Sequence, residues 1–363
     1  MDQGGGRMGA ATRRAGPVSH PEGAAEAQAL RVLSTMAFPE EWLAKLGAVS
    51  PRLVVTQQTA AAVAEIPDAV WAETDVLYTG STFPDVDRAP RLRWVQLDTS
   101  GVDHVTHTPL WRSDVEITTL NGVAPVNMAE FALMMMLAFG HRLPLMVDHQ
   151  RRRDWPSPAD RWDRFMPFEL RGATVGLVGY GSIGQEIGRV AHALGMRVLA
   201  LRRSGAGRGE TYRVPGLATD DAKPDRVYLP DQITEMLPAC DFVVLIVPST
   251  PETRHLMNEA AFRAMKPSAV LVNIARGGVV DEAALIRALN EGRIAGAALD
   301  VFENEPLPLD SPFWAMPNVI ISPHVAGFTP HYHERVMGIF AENLRRHLAG
   351  EPLLNRVARE RGY

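Results

Sequence analysis

The sequence predicts an α/β protein built from a doubly wound parallel sheet and a second, smaller α/β lobe. Three observations carry this. From residue 173 onward, short continuous apolar runs alternate with helical patterns. Strands buried on both faces of a parallel sheet read that way. The first run leads through a glycine-rich turn into a helix, which is how a doubly wound sheet begins. A separate set of apolar runs precedes it. With 363 residues, two lobes also agree with a prior of about 150 residues per domain.

The upstream strands are expected at Arg31–Met36, Leu53–Thr56, Asp75–Thr79, Arg93–Asp98 and Glu116–Leu120. Val126–Arg142 follows as a long helix, apolar nearly all round, with four Met residues. Such a helix must be buried. We expect it to link the lobes and to pack at a homodimer interface. The large sheet is expected to use Ala173–Val178, Arg197–Leu201, Asp241–Val247, Ala269–Ile274, Ala295–Val301 and Val319–Ser322. Helices fall between these strands at Ser182–Leu194, Pro230–Leu237, Asn258–Met265 and Asp281–Glu291. A last helix runs from Thr329 to about His347, with Thr329 as N-cap and Pro330 in the first position. The stretch Gly205–Tyr228 reads as an unusually long strand-to-helix loop. Phe302 and Trp314 read as core.

Composition excludes several classes. The chain is 46% hydrophobic and 22% charged, average globular usage rather than that of a disordered chain or disulfide scaffold. Its longest apolar run, Phe131–Gly140, is about half of the ~20 residues a membrane span needs. A net charge of -5 gives no sign of a nucleic-acid partner. The single Cys240 suits a reducing cytoplasm. Residues 1–26 lack the apolar stretch of a secretory signal. Their Arg-rich composition is shared with transit peptides, but a disordered tail or a misassigned start is the expected reading.

Gly179-Tyr180-Gly181-Ser182-Ile183-Gly184 matches a dinucleotide-binding turn between strand and helix. Gly179 permits the tight turn, Gly181 lets the backbone approach a pyrophosphate, and Gly184 lets helix and strand pack closely. The amides of Ser182 and Ile183 would hold the pyrophosphate at the helix start. About 20 residues on, an acid would bind the adenosine ribose 2′-OH. The chain reads Leu201-Arg202-Arg203-Ser204 there. Two guanidiniums and a hydroxyl suit a 2′-phosphate, which favours NADP, with NAD as the alternative.

Three further groups close and follow predicted strands: Asn273-Ile274-Ala275-Arg276-Gly277-Gly278, Leu299-Asp300 through Glu305-Pro306, and Ser322-Pro323-His324-Val325-Ala326-Gly327. Together with the glycine turn, these four ordered motifs resemble the D-isomer-specific 2-hydroxyacid dehydrogenase family, over roughly residues 30–357. The resemblance implies a Rossmann-type dinucleotide domain and a flavodoxin-like substrate lobe. It makes Arg276, Glu305 and His324 the catalytic set. The chemistry asks for these types. Hydride arriving at the carbonyl carbon of a 2-oxo acid leaves an oxygen that needs a proton. An imidazolium supplies one near neutral pH. A paired Glu favours that imidazolium and fixes its orientation. The planar Arg fork holds carboxylate and carbonyl oxygen together and stabilises the developing alkoxide.

The resemblance further places Val247, Pro248, Thr253, Ile274, Ala275, Asp300 and Gly327 beside the cofactor. Asp300 would contact the nicotinamide carboxamide or adjacent backbone. The backbone of Gly101 and Val102, in Asp98-Thr99-Ser100-Gly101-Val102-Asp103, would bind the substrate carboxylate, since backbone donors suit an anion. Thr79 and Gly80 would line the same cleft. Glyoxylate or hydroxypyruvate is the substrate class the resemblance implies. It also implies a discontinuous split, with residues 27–122 and 326–363 binding substrate and 123–325 binding the dinucleotide. A dinucleotide-sensing co-repressor and a related dehydrogenase of another small anion, such as formate or phosphite, stand as alternatives. Glu305 argues against formate enzymes, which usually carry Gln there. No His-Glu-x-x-His and no Cys pair suggests a metal site, and Gly-x-Ser-x-Gly is absent.

Overall fold

The computed structural model describes residues 29–203, 211–214 and 223–362. The predicted tail 1–26, the candidate Ser204 and parts of the stretch 205–228 lie outside the described residues.

The first sheet has five parallel strands: β1 (Leu30–Ser34), β2 (Leu53–Gln57), β3 (Val76–Thr79), β4 (Trp94–Leu97) and β5 (Glu116–Thr118). Helices α1 (Glu40–Gly47) and α2 (Asp68–Glu73) lie between them. The order is β2-β1-β3-β4-β5. Successive residues feed two cores. Val32, Val76, Tyr78 and Trp94 enter one, and Leu33, Leu77, Val95 and Leu97 the other.

The chain then forms α3 (Pro125–Gly140), α4 (Leu143–Arg152) and α5 (Pro158–Arg164). Its second sheet contains β6 (Thr174–Val178), β7 (Arg197–Leu201), β8 (Arg226–Tyr228), β9 (Phe242–Leu245), β10 (Val270–Asn273), β11 (Gly296–Leu299) and β12 (Val319–Ile321). Between them run α6 (Ser182–Ala193), the short α7 (Ile233–Met236), α8 (Glu259–Ala264) and α9 (Glu282–Asn290); α10 (Tyr332–Ala349) comes last. All neighbours are parallel, in the order β12-β11-β10-β9-β6-β7-β8. The order reverses beside β6, and the crevice at the carboxyl ends there is where such sheets bind ligands.

The chain passes between the sheets twice, after β5 and after β12. The passages are tied together: Asn127 Nδ2 donates to the Ala326 carbonyl at 3.0 Å. Helix α10 then returns to the first sheet, burying Val336, Ile339, Phe340 and Leu344 against it. Arg335 Nη1 donates to the Val123 carbonyl at 2.9 Å and fixes α10 to the first passage.

Several sequence expectations need correction. The large sheet has a seventh strand, β8, inside the stretch 205–228. The connection after β7 is therefore strand to strand, not strand to helix. β8 is three residues long with only Tyr228 buried, too short and too exposed to give an apolar run. Pro230–Leu237 is not one helix: only 233–236 is α-helical, flanked by 3-10 turns. The last helix starts at Tyr332 rather than Pro330. Thr329 instead accepts, through Oγ1, the amide of His331 at 3.2 Å. Trp314 is not core: it is 54% exposed, with Nε1 donating to the Pro308 carbonyl at 2.8 Å. Within the single chain α3 leaves Met134 50% and Leu137 41% exposed. Phe302 is buried. Among the described residues no single helix is long and apolar enough to cross a membrane, and no cluster of His, Cys, Asp and Glu is arranged to hold a metal.

Candidate active site

The glycine turn leaves β6 and opens α6, with Gly181 as its N-cap. Gly179 has φ +106°, and a Cβ there would lie 2.6 Å from the Ile246 carbonyl oxygen. Only glycine satisfies both conditions. Gly184 packs against the Gly179 carbonyl, so α6 starts close to the strand. Ser182 and Ile183 form the first turn of a 12-residue helix, where orphan amides and the helix dipole favour an anion. This cradle fits the pyrophosphate of a dinucleotide. Arg202 follows β7, its amide bonded to the Tyr228 carbonyl at 3.0 Å. It and Arg203 stand at the carboxyl edge where the adenosine end would lie.

Opposite β6, Val247 and Pro248 follow β9. Thr253 Oγ1 donates to the Pro248 carbonyl at 2.7 Å and accepts the Thr250 amide at 2.8 Å. Its side chain therefore shapes this loop from within. Ile274 and Ala275 close β10 and are buried; Gly327 is exposed at the second passage.

His324 Nδ1 lies 2.7 Å from Glu305 Oε2. The other Glu305 oxygen accepts the Phe302 amide at 3.0 Å. His324 has φ +55°, a left-handed conformation that a non-glycine residue adopts only when held. Asp300 holds it. Oδ1 accepts from Ser322 Oγ at 2.7 Å and from the Val325 amide at 2.9 Å, and Oδ2 accepts the Ala326 amide at 2.9 Å. The His324 amide donates to the Asp300 carbonyl at 2.9 Å. Asp300 is 2% exposed, and both its oxygens are engaged by this turn. Asp300 therefore scaffolds the turn that carries His324.

Arg276 follows β10. Gly277 packs directly on the backbone of Phe302 and Glu303, which brings the arginine loop onto the loop carrying Glu305. Across the cleft, a Cβ on Gly101 would collide with Arg276 Nη2. Arg276 Nη1 donates to its neighbour's carbonyl, Ala275 O, at 2.8 Å, and Nε faces Asp103 Oδ2 at 3.3 Å. Arg276 thus lies against Gly101 on one side, and its loop lies on the loop whose Glu305 holds His324 on the other. Thr99 Oγ1 donates to the Gly101 carbonyl at 2.7 Å and shapes that turn.

Thr79 does not line the cleft as expected. It is fully buried; its hydroxyl accepts from Thr35 Oγ1 at 2.7 Å and from the Thr82 amide at 2.9 Å. Gly80 is partly exposed. Sequence reasoning gave no role to Asp103, although it stands two residues after Gly101. Its charge was the available signal. It also missed Asp98, and His104, whose ring lies 5.6 Å from that of Phe83.

A sequence profile described as "D-isomer specific 2-hydroxyacid dehydrogenase, NAD binding domain" matches residues 133–326. The chain belongs to this family. It is an NAD(P)-dependent 2-hydroxyacid dehydrogenase. A curated relative, the glyoxylate reductase of Thermococcus onnurineus (strain NA1), is 37% identical over 276 residues, covering 76% of this chain and 78% of that one. Among solved structures, a D-isomer specific 2-hydroxyacid dehydrogenase from Xanthobacter autotrophicus Py2, in complex with NADPH and MES, aligns with a TM-score of 0.75. It is 30% identical, with 93% of this chain and 100% of that chain covered. An NADPH-dependent glyoxylate/hydroxypyruvate reductase from Sinorhizobium meliloti, in complex with NADP and sulfate, gives a TM-score of 0.72 at 26% identity, covering 92% and 100%. In this dehydrogenase the matched residues run from within α3 to just past β12 and include the glycine turn.

Proposed function

We propose that this dehydrogenase reduces a small 2-oxo acid to the D-2-hydroxy acid, with glyoxylate or hydroxypyruvate as substrate class and NADPH preferred over NADH. The observation that carries the reading is the His324–Glu305 pair at 2.7 Å in a cleft that also holds Arg276. The bound nicotinamide supplies the hydride to C2 of the acid. The chain supplies the rest. Arg276 and the amides of Gly101 and Val102 hold the carboxylate. His324, oriented through Nδ1 by Glu305, gives the proton from Nε2 to the carbonyl oxygen. The Arg276 charge stabilises that oxygen as negative charge develops. Arg202 and Arg203 support the NADPH preference, as do the dinucleotides named for the two solved relatives.

The domain split follows the two passages: residues 27–122 with 326–363 for substrate and 123–325 for cofactor. We assign a homodimer through the α3 region. Its support is the exposure of Met134, Leu137, Leu143 and Met146, beside a groove on α5 lined by Arg161, Trp162, Phe165 and Met166. The lone, buried Cys240 supports a cytoplasmic location.

Steady-state assays of glyoxylate, hydroxypyruvate, pyruvate and longer 2-oxo acids, with NADPH and NADH in parallel, test this. The expected result is turnover with the highest kcat/KM for the two-carbon or three-carbon acids and NADPH. No turnover of any acid would overturn the reading, and binding of NADPH without turnover would favour the dinucleotide-sensing alternative. Higher efficiency with NADH would overturn the cofactor preference.

A further inference from the structure

Both substrate-side turns and the start of α10 converge on one carboxylate. Asp98 follows β4 and directly precedes the Thr99–Val102 turn. Tyr78 is on β3, two residues before Gly80. Tyr332 opens α10 just after the second passage. The two tyrosines are 20 and 234 residues from Asp98 in sequence, yet both hydroxyls donate to the same atom, Asp98 Oδ1, Tyr332 at 2.5 Å. Backbone bonds draw the same segments together. The Asp98 amide donates to the Thr79 carbonyl at 2.9 Å, and the Leu120 amide, in the first passage, donates to the Thr99 carbonyl at 2.9 Å.

Tyr78 is wholly buried and Tyr332 half-buried. Burial first, then the Asp98 charge, pushes both hydroxyls above the usual tyrosine range, so they remain donors. Asp98 is half-buried, and a carboxylate drawn out of water costs free energy unless it is hydrogen-bonded. Once satisfied, such a network fixes a unique geometry more tightly than apolar packing does. What it fixes here is the spacing between Gly80 and the Gly101–Val102 turn, and the attachment of both to the passage that leads from His324.

We propose that Asp98, through the hydroxyls of Tyr78 and Tyr332, positions the carboxylate-binding turns of the substrate lobe against the lobe carrying Arg276 and His324. The three are positioning residues. This rests on the function proposed above. Its signature is a change in substrate KM with little change in kcat or in cofactor affinity, because Asp98 acts only through the turns that hold the acid.

The test is steady-state kinetics with glyoxylate on the full chain, with the melting temperature and the NADPH Kd measured alongside. For Tyr332→Phe, which removes one hydroxyl from a half-buried ring, KM for glyoxylate should rise about tenfold, while kcat and NADPH Kd stay within about twofold. Asp98→Ala should match or exceed that rise. Asp98→Asn keeps an oxygen acceptor and should recover most of the wild-type KM. Should Asp98→Ala fail to fold, Tyr332→Phe decides alone. A lowered melting temperature with unchanged KM in Tyr332→Phe would overturn the inference and leave the function standing. A wild-type chain inactive on every 2-oxo acid overturns the function, and the inference with it.

Discussion

Glu305 holds His324 with one carboxylate oxygen, at 2.7 Å from Nδ1, while its other oxygen accepts the amide of Phe302 at 3.0 Å. The carboxylate is thereby fixed to its own loop before it orients the imidazole. Such a pair orients the ring that gives up its proton in the reduction. Glu305→Gln keeps the shape and loses the charge. Reduction should slow by about a hundredfold near neutral pH. A rate of reduction unchanged from wild type would remove Glu305 from the proton-transfer unit.

Gly101 and Arg276 belong to opposite lobes, and a methyl group at Gly101 would occupy the space of the Arg276 guanidinium. The far end of an arginine can move, so Gly101→Ala should fold. It should pay in function: kcat/KM for the 2-oxo acid should fall about 10- to 100-fold, with the NADPH Kd nearly unchanged. A wild-type kcat/KM would mean that Arg276 has no fixed place against this turn.

Arg202 stands at the end of β7, where the adenosine ribose of a bound dinucleotide would lie. Arg202→Asp should raise KM for NADPH by roughly ten- to a hundredfold and leave KM for NADH the same or lower. Parallel titration of both nucleotides checks this. Equal effects on the two would show that the residue does not read the 2′-phosphate.

His347 lies over the Trp94 ring, with centroids 5.6 Å apart. Partial burial pushes its pKa below the usual histidine value, against the opposing pull of Glu116 and Asp75. The sign follows from proton linkage. The unfolded chain protonates this ring near pH 6.5 and the folded chain only at lower pH. Its contribution is therefore complete above about pH 6.5 and is lost as pH falls toward the folded value. His347→Phe should show a smaller loss of urea midpoint between pH 7.5 and 5.5 than wild type. Parallel losses in the two proteins would refute this assignment.

The local signals were readable from the chain. The continuous apolar runs of β6, β7, β9 and β10 reflect strands covered on both faces. The turn 179–184 is written in glycines because its backbone must curl and approach closely. β8 gave no such signal, being three residues long and mostly exposed. The motif residues Arg276, Glu305 and His324 were identifiable by type and order, but not their geometry. Asp300 illustrates the limit. Its place after β11 was evident, yet the engagement of both its oxygens by the His324 turn depends on how β11 and β12 align.

By itself, then, the sequence determined the alternation of strands and helices, the dinucleotide turn and the residue types of the cleft. Each of these is encoded within a few neighbouring positions, through side-chain periodicity and turn chemistry. Only the tertiary structure decided that Asp103 faces Arg276 across 173 residues, that Tyr332 reaches Asp98 across 234, and that Thr79 turns into the core while Trp314 stays at the surface. These outcomes depend on sheet register and on the way two lobes dock. No short stretch of chain contains that information, because the energy that fixes each contact comes from groups distant in sequence.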